Sequence, residues 1–174
     1  MKKTGMVAIL FLAVMSGSCF AGAPFINGKS SVSVNYRLSL SQAVAAGHYD
    51  RKSPGVNDNA CGLSVAHDLI IDLAIRDVVV EIVNLKASVG ISTEDAVKEL
   101  KQMGYRPANL FELLAFGAEY PDEQRQYGIV ALGSSCGTIL SFPVLYGSAQ
   151  ERGMSLHWSG GTWSSGWRFA AVRE

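Results

Sequence analysis

The chain has 174 residues with 15 basic and 15 acidic side chains, 48% hydrophobic residues and only 17% charged ones. That composition excludes a disordered, highly charged polymer. The even charge, with no basic cluster, excludes a nucleic-acid-binding surface and a polybasic membrane patch.

The N-terminus reads as a leader. Lys2 and Lys3 precede an uncharged run from Gly5 to Met15, and Ser16, Gly17 and Ser18 then lead to Ala21. A positive start, a short apolar centre and small residues make up the plan of a secretory signal peptide, and the run falls well short of the ~20 residues a spanning helix needs. Cleavage is expected after Ala21, with Cys19 and Ala21 as the small residues at −3 and −1. Lipid attachment at Cys19 is the lesser alternative, because Ser16 stands where a lipoprotein signal carries a large aliphatic residue. Residues 22–174 are then one domain with a net charge of −2, since the leader removes two lysines and no acid. No later apolar run approaches spanning length. Two cysteines remain, Cys61 and Cys136. In an oxidising compartment an even pair is expected to form a disulfide.

From Ser30 to Leu40 apolar and polar residues alternate, which predicts a half-buried strand. Ser41 is placed to cap a short helix over Gln42–Ala46 that stops at Gly47. His48 to Gly62 is turn chemistry and reads as a surface loop. Leu69–Ile75 reads as a strand, with a buried helix as the alternative, and Val78–Lys86 reads as another strand. Ser92 or Thr93 caps an amphipathic helix with acids in its first turn and Gly104 at its end. Pro107 and Asn109 open a further helix through Leu110, Leu113, Leu114 and Phe116. Four strands follow, at Ile129–Leu132, Ile139–Leu145, Met154–Trp158 and Trp167–Val172, separated by Gly/Ser-rich turns. With no repeat and no linker, this order is an α+β domain with a mostly antiparallel sheet and two or three helices.

Two stretches carry a resemblance. The block Gly104-Tyr-Arg-Pro-Ala-Asn-Leu-Phe-Glu-Leu-Leu-Ala-Phe-Gly-Ala-Glu-Tyr-Pro-Asp-Glu-Gln-Arg-Gln-Tyr-Gly-Ile-Val-Ala-Leu-Gly-Ser134 and the closing Arg168-Phe-Ala-Ala-Val-Arg173 resemble a family of uncharacterised bacterial proteins. Tyr36 to Asp50 resembles that family's opening strand and helix less closely. The resemblance brings no function with it, and the leader and the Cys61/Cys136 pair set this chain apart as an exported branch. Arg106-Pro107 before a helix, followed by Gly/Ser/Trp-rich strands, is also similar to the C-type-lectin-like and sulfatase-modifying-factor-like folds. That similarity implies a scaffold with both chain ends in one sheet, and it implies no chemistry.

Few residues suggest chemistry. Gly133-Ser134-Ser135-Cys136-Gly137 fits G-x-S-x-G, and a Ser135, Glu151, His157 order completes a serine-hydrolase reading. A nucleophile elbow, however, needs a helix directly behind the serine, and a strand is predicted there. The better reading is a hairpin turn tied by Cys136. His48, His67 and His157 lie in separate segments without metal-ligand spacing, and no phosphate-binding loop is present, so neither a metal nor a cofactor is expected. His67, Asp68 and Asp72 meet only if their segment is helical. Asp77 and Glu81 are expected to face solvent. Trp158, Trp163 and Trp167 lie among Gly/Ser turns shortly after Tyr146. Trp158 and Trp167 are expected in a hairpin core and Trp163 at an exposed tip. Trp163, Trp158, Tyr146 and Arg168 form the candidate ligand surface, suited to stacking on a glycan or a protein. The function expected is a non-enzymatic binding or interaction module in the periplasm or outside the cell, with an envelope or extracellular partner.

Overall fold

The computed structural model describes residues 26–56, 61, 75–85, 90–136, 140–158 and 160–174. The expected leader, Cys19, the His67/Asp68/Asp72 group and all of the expected strand at 69–75 except Ile75 lie outside these residues.

The described elements are β1 (Ile26–Asn35), α1 (Leu40–Ala46), β2 (Arg51–Lys52), β3 (Ile75–Val83), α2 (Thr93–Gln102), β4 (Tyr105–Pro107), α3 (Leu110–Glu119), a 3-10 turn (Glu123–Arg125), β5 (Gly128–Val130), β6 (Ser141–Gly147), β7 (Arg152–Trp158) and β8 (Trp167–Arg173). The strands form one sheet in the order β1-β3-β8-β5-β6-β7-β2, with β4 beside the end of β8. Among the described strands, only β5/β8 and β2/β7 run parallel. The α+β class with a mostly antiparallel sheet is therefore observed. The first and last described strands both belong to this sheet, with β3 between β1 and β8.

Both faces of the sheet are covered. On one, Val32, Val34, Val80, Ile82, Ile129, Leu145, Met154, Ala170 and Val172 pack with α1 and α3. On the other, Val83, Tyr105, Val130, Phe142, Val144, Phe169 and Ala171 pack with Ala96 and Leu100 of α2 and with Trp163. Side chains alternate across a strand, so the central strand β8 has to be apolar on both sides, as Phe169-Ala170-Ala171-Val172 is.

Local chemistry explains the element ends. Ser92 accepts the Asp95 N–H, Glu94 and Asp95 occupy the positive end of α2, and Lys101 its last turn. Asn109 and Glu112 form a capping box on α3. The cap of α1 corrects the expectation: Ser39, not Ser41, accepts from Gln42, so the helix begins at Leu40. The first strand also ends earlier than its alternation suggested. Leu38 N–H bonds Asn35 O, and Tyr36 and Leu38 pack against the core from a turn. Part of the expected loop after His48 is the short strand β2, and β4 lies where only a helix entry was expected.

Two buried carboxylates brace one end of the sheet. Glu81 is 1% exposed, which corrects the expectation that it faces solvent. It accepts from Tyr105 Oη at 2.6 Å and pairs with Arg173, whose guanidinium lies 4.7 Å over the Tyr105 ring. Asp77, its predicted companion, is exposed. On the opposite face Glu112 is fully buried and takes two bonds from Arg106, one from Tyr36 Oη and one from the Asn109 N–H. Burial, with the Glu112 charge next, pushes the Tyr36 phenol up to about 12. The buried Arg152 guanidinium meets no carboxylate among the described residues. It donates to Gly47 O at the end of α1, to Gly117 O in the last turn of α3 and to Gln124. The negative ends of two helices thus offset its charge.

Cys61 and Cys136 form a disulfide across 75 residues, and both are buried. Closing a loop of that length restricts the unfolded chain and stabilises the fold by about 4 kcal/mol in the chain-entropy account. Replacing both cysteines with serine is expected to lower the urea unfolding free energy by roughly 3–5 kcal/mol. A loss under about 1 kcal/mol would show that the bond does not constrain the fold.

Candidate functional site

The tryptophan-bearing end of the sheet is built by β6, β7, β8 and the segment 160–166. His157 pairs with Phe142 and Trp158 with Ser141, so the two consecutive residues point to opposite faces. His157 turns to the α2 side, where its ring lies 5.2 Å from that of Trp163 and 5.1 Å from that of Trp167. Trp163 and Trp167 meet edge to face at 5.2 Å. Trp163 also touches Phe142 and Phe169, and its Nε1 donates to Thr93 Oγ1 at 2.9 Å. Its backbone exchanges two hydrogen bonds with Ile91.

Trp163 is therefore a core residue, 2% exposed, and the expectation of an exposed loop tip is corrected. The segment after β7 folds down onto the α2 face, because there the indole covers Phe142 and Phe169 and still finds an acceptor for its N–H. Trp167 is half-buried over Gly128, where a Cβ would stand 2.7 Å from its ring. Trp158, expected in the core, is 62% exposed and lies over Gly160, where any Cβ would collide with the indole. Leu140, 64% exposed, immediately precedes Ser141, the cross-strand partner of Trp158.

The four expected ligand residues do not converge. Tyr146 is half-buried on the α2 side, with its ring over Gly153. Arg168 pairs in register with Ile129, which belongs to the α1/α3 core, and it donates to Ser165 O and Trp167 O. Its guanidinium lies 5.2 Å over the Tyr127 ring. Of the set, only Trp158 presents a large aromatic face to solvent.

Glu151 does not join the serine-hydrolase constellation. Glu151 forms an ion pair with Arg51 at 2.8 Å. It precedes β7, whereas His157 is six residues on, about 20 Å along an extended strand. Ser135 is half-buried beside the disulfide. Its neighbour Ser134 is 5% exposed and accepts the Leu110 N–H at the start of α3, a structural use of the Gly/Ser turn. Among the described residues, no three His, Cys, Asp or Glu side chains gather as metal ligands. No helix among them is long and apolar enough to cross a membrane.

No protein-family model matches the chain, no curated protein is significantly similar to it, and no solved structure matches it.

The two tryptophans are expected to separate cleanly in stability. Trp163→Ala removes a packed indole and is expected to cost about 3–5 kcal/mol, whereas Trp158→Ala is expected to stay within roughly 0.5 kcal/mol of the parent. Chemical denaturation of both variants checks this. Equal losses would contradict the burial of one and the exposure of the other.

Proposed function

We propose that the chain is an exported binding module acting in the periplasm or outside the cell, with Trp158 as its principal contact. The observation that carries this reading is the exposed indole on a strand braced by β6. An aromatic ring held on a regular strand offers a large contact area at little ordering cost. The disulfide belongs to an oxidising compartment, and the charge, apolar and small-residue order of residues 1–21 supplies the export signal. Anchoring through a lipidated Cys19 is the lesser form of the same reading. Membership of the uncharacterised bacterial family rests on the Gly104–Ser134 block and the Arg168–Arg173 ending.

Protein recovered from an exporting bacterial host tests both halves. Its intact mass is expected to begin at Gly22, and it is expected to co-sediment with envelope fractions of that host. Trp158→Ala is expected to weaken that association about tenfold or more, the loss typical of a central aromatic contact. Undiminished binding by the variant, or none by the parent, would contradict the binding role. An uncleaved chain would contradict export.

A further inference from the structure

The sheet edge on which Trp158 stands is covered over only half its length. β2 runs beside β7 for two residues, Arg51 next to Gly153 and Lys52 next to Met154. The Asp50 and Ser53 N–H groups bond the carbonyls of Arg152 and Met154. Backbone groups pointing out from this edge therefore belong to alternate residues, Arg152, Met154, Leu156 and Trp158. The first two are met by β2 and its flanks. The last two have no backbone partner on that side among the described residues. Leu156 lies opposite Pro143, whose carbonyl takes the Ala131 N–H on its other side, so β6 does not use the Leu156 N–H either. Leu156 O receives only a long contact of 3.4 Å from Ser155 Oγ.

The chain leaves this edge because of where it goes next. The Val56 N–H closes a turn on Ser53 O, Gly55 packs against the Leu156 side chain, and Cys61 joins the α1/α3 core, bonded to Cys136. Leu156 is half-buried, and Trp158, two residues on along the same face, is 62% exposed. The stretch past β2 thus combines outward N–H and C=O groups with an indole standing beside them. Strand addition requires that combination, with backbone hydrogen bonds for attachment and alternate side chains for selectivity.

We propose that Trp158 binds an extended segment of another protein, which adds to β7 in the line of β2 and pairs with Leu156 and Trp158. This deepens the reading of Trp158 as the principal contact and rests on it. A side chain of the incoming segment lies beside the indole at the ~5 Å spacing of cross-strand neighbours, where an apolar or aromatic residue gains most. A glycan has no alternating amides and carbonyls to satisfy this edge. A second copy of this chain brings a folded sheet edge against the turn at Ser53–Val56, which a bare extended segment avoids. The opposite edge of the sheet, β1, is less suited, because Tyr120 Oη already donates to Ser31 O and the Leu38 N–H to Asn35 O.

The test is selection from a display library of random linear dodecapeptides on the oxidised, secreted protein, followed by titration calorimetry of the selected peptides. Trp158→Ala is expected to weaken binding about tenfold or more. Leu156→Pro removes one outward N–H, a change that an edge strand tolerates, and is expected to weaken binding about fivefold beyond Leu156→Ala, which keeps that N–H. N-methylation of alternate peptide amides is expected to abolish binding in one phase and spare it in the other, and it tests the pairing on the unaltered protein. No selected peptides, or peptides weakened by Trp158→Ala but indifferent to Leu156→Pro and to the phase of N-methylation, would overturn strand addition and leave Trp158 as a contact for another kind of surface. Peptides sensitive to the phase of N-methylation but unaffected by Trp158→Ala would instead overturn the role of Trp158.

Discussion

Successive side chains of a strand point to opposite sides of the sheet, and here both sides are buried at the centre. β8 meets that constraint with Phe169 and Ala171 facing α2 and Ala170 and Val172 facing α1 and α3. The other strands inherit their parity from β8 by hydrogen-bonded register. Val80 and Ile82 fall to one side of β3, and Glu81 and Val83 to the other. Tyr105 and Arg106, consecutive in β4, reach separate buried carboxylates on opposite faces. A one-residue slip would put Glu81 against the α1/α3 core without its tyrosine and arginine.

The same parity determines which face each aromatic serves. His157 belongs to the α2 face and stacks on Trp163 and Trp167 while remaining exposed, and Trp158 faces the other way, near the sheet's β7 edge, and stays in solvent. Burying Trp163 gains apolar contact with Phe142 and Phe169 and satisfies its N–H on Thr93. Trp158 lies over Gly160 instead and keeps most of its surface in solvent. Its exposure follows from register on a firm strand and does not depend on a loop.

The caps of α2 and α3, most of the strand periodicity and the cysteine pair were legible in the residues themselves. Ser92 and Asn109 cap as their positions suggest, and the α+β class follows from the order of periods. What was not legible depended on contacts far apart in the chain. Glu81 looks like a solvent-facing acid until Tyr105 and Arg173 are brought beside it, from 24 and 92 residues away. The Gly/Ser turn around Trp163 has the composition of an exposed tip, and only the bridge to Ile91 and the packing on Phe169 show where it goes. Trp158 ends a strand whose edge position, beyond the reach of the short β2, comes from sheet order and cannot be read from composition. The indole expected at an exposed tip, Trp163, is thus the buried one, and Trp158, expected in the core, is the exposed one.

The placement of the three indoles is the point on which this account stands, and collisional quenching of tryptophan emission by iodide tests it most directly. Trp158→Phe is predicted to remove most of the iodide-accessible emission, leaving the two remaining indoles shielded, and Trp163→Phe to leave the accessible fraction in place. If Trp163→Phe instead abolishes the accessible emission while Trp158→Phe does not, the segment after β7 is not folded onto the α2 face. The proposed binding surface would then have to be built around Trp163.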